Sequence, residues 1–204
     1  LGMAHEEAYG GTNLDLISQA IAGEEVAKAC ASTFLSCGAS CGLFGVPLKL
    51  FGSDEQKKKY LPGIITGDII GCFGLTEPEA GSDAASIKTT AVQNGNKWVI
   101  NGTKTFITNA TIADVALVFA YNDRSKGPGA GVTCFLVDKG TKGFSVGKPF
   151  DKMGFRGSPT AELIFDDCEV PESAVLGTVG RGFIQAMQTL EYGRIGMATV
   201  SLGI

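Results

Sequence analysis

The chain has 204 residues, of which 44% are hydrophobic and 19% are charged, and its formal net charge is −4. This length and composition are typical of a folded globular protein with one large domain or two small ones. The mildly acidic charge balance argues against a nucleic-acid-binding protein, which would carry a basic stripe. We find no unbroken apolar run of the roughly 18 residues that a membrane-spanning helix needs, so no membrane insertion is expected.

The six cysteines form no CxxC pair, and His5, the only histidine, is remote from them in sequence. No metal site is therefore expected, and thiols without a disulfide framework suit a reducing compartment. Cys30, Cys37 and Cys41 share one helical face, which indicates small apolar residues on a buried surface. The first residues resemble the interior of a domain and carry no signal peptide, so a piece of a longer protein is expected.

The first 68 residues are predicted to be helical. Thr12 or Asn13 is a candidate N-cap for a first helix that runs through Ala29. A nearly uncharged segment, 31–51, follows and predicts a helix buried between others. Ser53 or Asp54 is then placed to cap a short helix over 55–65.

From residue 69 to residue 178 the helical period gives way to short β-rich runs, which predict a β-barrel or β-sandwich. The predicted strands are 70–76, 87–93, 97–100, 103–108, 115–121, 132–137, 144–148 and 161–165. Asn94-Gly95 predicts a hairpin, because both positions tolerate positive φ. Residues 126–131, rich in glycine, are expected to form an exposed loop.

A helical pattern returns at about residue 179 and runs to the end of the chain. The predicted organisation is therefore a helical domain over 1–68, a β-domain over 69–178 and the start of another helical domain over 179–204. The corresponding fold class is α+β with several domains.

Two short phrases stand out: Leu75-Thr76-Glu77-Pro78-Glu79-Ala80-Gly81-Ser82-Asp83 and Lys104-Thr105-Phe106-Ile107-Thr108-Asn109. Each places a hydroxyl beside turn-forming residues, close to an apolar run that predicts a strand. Chain reversals at strand ends expose backbone N–H groups, to which a polar ring or a phosphate can bind. The two phrases are therefore candidate ligand-binding segments.

Together these phrases closely resemble the flavin-binding segments of the acyl-CoA dehydrogenase family. Further phrases match the family in the same order: Phe51–Lys57 with Tyr60-Leu61-Pro62, Met153–Ser158, Val170-Pro171 and Val175-Leu176-Gly177. The resemblance implies an N-terminal helical domain, a middle β-domain and the first helix of a C-terminal four-helix bundle. The family's first helices and most of that bundle have no counterpart in the chain.

The resemblance implies FAD-dependent α,β-dehydrogenation of an acyl-CoA thioester to the trans-2-enoyl-CoA. In that reaction a carboxylate removes the α-proton, and the β-hydrogen leaves as a hydride to the flavin. The implied partners are an acyl-CoA substrate, an electron-transferring flavoprotein and other copies of the chain in a homotetramer. The implied location is the bacterial cytoplasm or the mitochondrial matrix.

By motif position, the resemblance assigns cofactor contacts to Phe73, Leu75, Thr76, Gly81, Ser82, Phe106, Ile107 and Thr108. The Thr76 hydroxyl would donate toward flavin N1 or O2, and Thr108 would hydrogen-bond N5 or O4. Gly81 and Ser82 would approach the pyrophosphate, and Ser82 is also a candidate for the CoA moiety. Phe106 stands where the family often has Trp. The change to Phe keeps an apolar wall beside the flavin and loses the indole N–H.

Glu191 and Arg194 are candidate substrate-binding residues on the last helix, with an intrahelical ion pair as the alternative. Gly193 stands where some branches of the family carry the catalytic glutamate, so the base is expected downstream of Ile204. The phrase Gly193-Arg194-Ile195-Gly196 is more like the short-chain, butyryl-type members. Glu77 and Glu79 are assigned a turn-structuring role and not that of the base.

Two other functions stay open at this point. One is an oxygen-using relative on the same fold, such as an acyl-CoA oxidase or a nitroalkane oxidase. Reoxidation of the reduced flavin by air would distinguish such an enzyme from a dehydrogenase. The other is a non-catalytic acyl-CoA-binding protein, against which the intact Thr76, Ser82 and Thr108 argue.

Overall fold

The computed structural model describes all 204 residues and confirms the predicted order of helices, strands and a final helix. The helical elements are α1 (Leu16–Cys37), a π-helical segment (Gly38–Phe44), α2 (Gly45–Phe51), α3 (Asp54–Thr66), α4 (Pro128–Gly131) and α5 (Gly182–Gly203). The strands are β1 (Gly71–Gly74), β2 (Thr90–Asn94), β3 (Lys97–Thr108), β4 (Val115–Tyr121), β5 (Val132–Asp138), β6 (Phe144–Val146) and β7 (Thr160–Pro171).

Asp15 is the N-cap of α1, and the prediction of Thr12 or Asn13 is wrong. Asp15 Oδ1 accepts hydrogen bonds from the backbone amides of Ile17 at 2.9 Å and Ser18 at 3.0 Å. Asp, Asn, Ser and Thr are all good N-caps, so the local sequence alone does not separate them. The structure selects the residue directly before the first helical turn.

The first helix continues well beyond Ala29 and ends at Cys37, with a kink where Cys30 has non-helical angles of φ −162° and ψ 102°. The π-helical segment leads directly into α2, so the helical run Leu16–Phe51 is long and apolar enough, by length and composition, to cross a membrane. This finding corrects the prediction that no apolar segment of the chain is long enough to span a membrane. Buried core helices of soluble proteins meet the same criterion, and 44% of the most apolar part of this run is buried in the structure.

Ser53 caps α3 in a capping box, as one of the two predicted alternatives. The Gln56 amide donates to Ser53 Oγ at 3.2 Å, and the Ser53 amide donates to Gln56 Oε1 at 3.0 Å. The Gln56 side-chain amide also donates to the carbonyls of Ser173 and Val175, both at 2.9 Å. The start of α3 is thereby fastened to the segment that follows β7.

The strands form one seven-stranded mixed sheet in which hydrogen-bonded neighbours follow the path β1-β4-β2-β3-β7-β6. β4 pairs with β1 over 115–118 and with β2 only at Tyr121, and it also pairs with β5 along its whole length. The β2–β3 hairpin is confirmed, and in its turn only Gly95 has positive φ, at +61°. The two strands predicted over 97–100 and 103–108 are one strand, β3, whose pairing with β7 shifts register twice. Part of the predicted loop 126–131 forms the short helix α4.

Two apolar clusters occupy the two faces of this sheet. Alternate residues of β4 face each cluster: Leu117 and Phe119 pack with the helices, whereas Val118 faces the second cluster. In the second cluster the Trp98 and Phe135 rings lie 5.4 Å apart although their strands β3 and β5 are not neighbours. The sheet must therefore curl over itself, which is the form that the predicted barrel or sandwich takes.

The cysteines are free, and four of them are buried. Cys41 lies in the core shared by the helices and the sheet, as expected for a small apolar residue. Cys37 is half-buried and Cys30 is exposed at the helix kink, so the prediction of one buried cysteine face is wrong at Cys30.

Candidate active site

A cleft of about 350 Å³ opens where the ends of β1 and β3 meet the π-helical segment and α5. Its lining includes every residue predicted to contact the cofactor, together with Arg194. The lining residues are Ala39, Leu43, Phe73, Leu75, Thr76, Gly81, Ser82, Ala84, Phe106, Ile107, Thr108, Met187, Leu190 and Arg194. The two phrases, separated by about 20 residues of sequence, are therefore brought to one site.

Three hydroxyls define one wall of the cleft. Thr76 follows the end of β1, Ser82 lies in the turn beyond it, and Thr108 ends β3. None of the three side chains hydrogen-bonds another group of the chain, so each is free to bind a ligand. A Cβ added to Gly81 would meet nothing within 4 Å, so the chain itself leaves that space open. These groups suit a ligand that combines a polar ring with a phosphate.

Phe106 has an unusual backbone for an aromatic residue, with φ +57°. It lies at the second register shift of β3, where a bulge turns its side chain to the cleft. The ring is 67% exposed and lies 5.2 Å from the ring of Phe150. A left-handed non-glycine residue costs on the order of 1–3 kcal/mol and persists mostly where it serves a function. Phe106 is therefore positioned as an open apolar wall.

The opposite wall is apolar and was not identified from the sequence as part of the site. Ala39 and Leu43 come from the π-helical segment, and Met187 and Leu190 come from α5. π-Helical turns are rare and are found frequently at functional sites. The only sequence signal was the near absence of charge over 31–51, which indicated burial without indicating a site.

Arg194 brings a cation to the cleft, whereas Glu191 is absent from the lining. Both residues are exposed on α5. The alternative of an intrahelical ion pair is not realised, because neither side chain forms a salt bridge in the structure. Of the two residues predicted to bind the substrate from this helix, the structure therefore brings only Arg194 to the site.

No carboxylate lines the cleft. Glu77 is 6% exposed and lies beneath the turn 77–80, whose ends pair through their backbone groups at 3.1 Å. Its carboxylate accepts from the Lys88 amide at 2.5 Å and from the Thr89 amide at 3.0 Å. Glu79 is at the surface and pairs with Lys88. The turn-structuring role predicted for Glu77 is confirmed.

Lys104 is the partner of Glu77 and is completely buried, with Nζ 2.7 Å from Glu77 Oε1. Burial lowers the pKa of Lys104 to about 8 against the opposing influence of Glu77. Burial acts to raise the pKa of Glu77, but Lys104, Thr89 and the Lys88 amide together lower it. Lys104 and Glu77 thus form a buried ion pair in which each stabilises the charge of the other. No pattern in the sequence predicted this burial, since lysine side chains are almost always exposed.

Comparisons with known proteins agree with this fold. Residues 1–68 match the family described as acyl-CoA dehydrogenase, N-terminal domain, and residues 72–168 match the acyl-CoA dehydrogenase, middle domain. The human mitochondrial short-chain specific acyl-CoA dehydrogenase is 48% identical over 204 residues, which are 100% of this chain and 49% of the human protein.

Two solved structures are similar over 99% of this chain. Butyryl-CoA dehydrogenase from Megasphaera elsdenii is 44% identical with a TM-score of 0.95, and 54% of that chain is covered. A chain in the structure of the electron transferring flavoprotein of Acidaminococcus fermentans is 48% identical with a TM-score of 0.96, and 53% of it is covered. The chain belongs to the acyl-CoA dehydrogenase family, and it spans about half the length of these relatives.

Proposed function

We propose that this chain supplies the FAD-binding wall and part of the thioester pocket of an enzyme that converts a short-chain acyl-CoA to the trans-2-enoyl-CoA. One observation carries the proposal: three free hydroxyls, at Thr76, Ser82 and Thr108, face an apolar wall across a cleft that contains one cation. The similarity to short-chain and butyryl-CoA dehydrogenases supports the substrate class.

FAD, when bound, supplies the hydride acceptor. Thr76 would donate a hydrogen bond at the N1 and O2 edge of the flavin, where negative charge grows on reduction. Thr108 would hydrogen-bond the N5 and O4 edge. Gly81 leaves room for the pyrophosphate, and Ser82 would donate to it. The lining residues Phe73, Leu75, Phe106 and Ile107 would exclude water from the ring.

On the substrate side, Leu43, Met187 and Leu190 offer an apolar surface for the acyl chain. Arg194 carries the positive charge at this cleft, which suits the phosphate groups of CoA. Ser82, proposed above as a donor to the pyrophosphate, is also a candidate contact for the CoA moiety. Glu191 would act only at the outer part of the substrate, because it does not line the cleft.

The base that removes the α-proton would come from outside residues 1–204. A general base must come within hydrogen-bond reach of the proton it removes, and no carboxylate lines this cleft. Gly193, in the position where other branches of the family carry the base, agrees with this proposal.

The proposed electron acceptor is an electron-transferring flavoprotein, which the similarity to a chain of the Acidaminococcus fermentans structure supports. The enzyme would assemble as a homotetramer in the bacterial cytoplasm or the mitochondrial matrix. Light scattering on the purified protein would give its molar mass, and a value other than four chains would contradict the tetramer.

The first test is an anaerobic titration of the purified full-length protein with acyl-CoA thioesters of increasing chain length, during which the visible spectrum of the flavin is recorded. Bleaching of the flavin band by a short-chain thioester supports the proposal. A flavin that no thioester bleaches would contradict it, and a protein without flavin would favour a binding protein. Rapid reoxidation of the reduced flavin by air would favour an oxidase.

A single substitution tests the cofactor wall. Thr108→Val removes one hydrogen bond to the flavin, so we expect FAD to bind about fivefold to tenfold more weakly. Thr103→Val, the same change earlier on β3 and outside the cleft, is the matched control. Fluorescence titration of FAD into the flavin-free protein gives both constants. Equal constants for the two variants would remove Thr108 from the cofactor site.

A further inference from the structure

The buried lysine of the second phrase contacts the first phrase at two points. Lys104 Nζ lies 2.7 Å from Glu77 Oε1 and 3.3 Å from the Leu75 carbonyl oxygen. A Cβ added to Gly74 would lie 3.4 Å from Lys104 Cγ, so the lysine stem runs beneath β1. Lys104 therefore holds the residues on both sides of Thr76.

Thr76 is also held through its own backbone. Its carbonyl accepts from the Thr105 amide at 2.9 Å. Glu77 accepts from Thr89 Oγ1 at 2.5 Å in addition to its two amide donors, so the same turn is bonded to the residues directly before β2. The Thr76 hydroxyl is thus the free end of a residue whose backbone is fixed from three directions.

The same lysine belongs to the strand that carries the other hydroxyl. Lys104 is the last paired residue before the register shift of β3, and pairing resumes at Ile107. Thr108 lies four residues after Lys104 at the end of the strand. The ion pair therefore joins the two cleft segments directly beneath the site.

A buried charge pair is an unfavourable way to fill a core, because both charges lose their hydration. Removing two charges from water costs several kcal/mol per ion, and well-packed apolar residues often serve stability equally well. An apolar side chain at position 104 would fill the same volume. It could not donate a hydrogen bond to the Leu75 carbonyl or to the Glu77 carboxylate, as Lys104 does. The directional contacts, rather than the volume, distinguish lysine at this position.

We propose that the Lys104–Glu77 pair is a positioning element that sets the spacing of the Thr76 and Thr108 hydroxyls and thereby the affinity and electronic environment of the bound flavin. The inference rests on the proposed function. Neither residue lines the cleft, and both act through the backbone of 75–77 and the bulge of β3.

The test compares two double variants of the flavin-free protein. Lys104→Met with Glu77→Gln removes the buried pair with little change in shape. Lys97→Met with Glu169→Gln removes an exposed pair whose lysine lies on the same strand, β3, and is the matched control. Each is titrated with FAD by fluorescence, its bound flavin spectrum is recorded, and its urea midpoint is measured. If the buried double variant does not fold, Glu77→Gln alone is titrated in its place.

We expect the buried double variant to bind FAD about tenfold more weakly, equivalent to one or two misplaced hydrogen bonds, and to shift the flavin band. The exposed double variant should match the unsubstituted protein. A buried variant with a lower urea midpoint but an unchanged FAD constant and spectrum would show a purely structural pair and overturn the inference. An unsubstituted protein that binds no FAD would overturn the proposed function as well.

Discussion

Strand β3 carries the lysines of two lysine–glutamate pairs that lie in contrasting surroundings. Lys97 and Glu169 lie 2.9 Å apart with about half of each side chain exposed, whereas Lys104 and Glu77 lie 2.7 Å apart and are almost fully buried. The exposed charges keep their water and gain little from each other. The buried charges have lost their water and keep only a few protein hydrogen bonds besides each other, so each depends strongly on its partner. The two pairs therefore have similar N–O distances but very different contributions to the free energy of unfolding.

The largest effect should come from breaking the buried pair on one side. Lys104→Met leaves the Glu77 carboxylate buried without its counterion, and we expect a loss of about 3–5 kcal/mol in the free energy of unfolding. Urea denaturation followed by circular dichroism measures this loss. Stability within about 1 kcal/mol of the unsubstituted protein would mean that the donors from Lys88 and Thr89 are sufficient for the Glu77 charge.

An intermediate effect should appear in the acid limb of the stability curve. The pKa of Glu77 is lowered, so the folded state binds fewer protons at this site than the unfolded chain. Its contribution is present above the ordinary glutamate pKa of about 4.3 and is lost as the pH falls further. Glu77→Gln should therefore flatten the fall in the free energy of unfolding below about pH 4.3.

The control for the acid limb is Glu169→Gln. Lys97 also lowers the pKa of Glu169, but this carboxylate is exposed and screened by solvent. Its variant should keep nearly all of the slope of the unsubstituted protein. Equal flattening by the two variants would mean that burial does not distinguish the pairs.

The smallest effect should come from Lys97→Met. Since half of each side chain in this pair is exposed, we expect no resolvable change in the urea midpoint and no dependence of the difference on salt. A clear destabilisation that salt removes would show that the surface pair contributes more than its exposure suggests.

The contrast also explains what the sequence could and could not predict. Local rules found the Ser53 capping box and the hairpin at Gly95, because caps and tight turns depend on a few neighbouring residues. The motifs predicted the hydroxyl wall for the same reason, since its residues are contiguous in two short phrases. Asp15 was missed because three good capping residues compete within four positions.

Features that depend on long-range packing were beyond the sequence. The far wall of the cleft, at Leu43 and Met187, comes from two helices that meet only in the folded chain. Lys104 lies inside a phrase selected for its hydroxyl, yet its burial depends on Glu77, 27 positions earlier. The continuity of β3 through two register shifts depends on β7.

The cluster that joins the helices to the sheet has a consequence for how the molecule unfolds. Phe44 from the π-helical segment, Leu61 from α3 and Leu117 from β4 belong to the same cluster. A Cβ added to Gly71 would come within 2.3 Å of the Phe44 ring, so β1 and that segment are in direct contact. Neither part can lose its structure without exposing the core of the other. The helical and β parts should therefore melt in one cooperative transition, and the cleft between them should disappear in that same step.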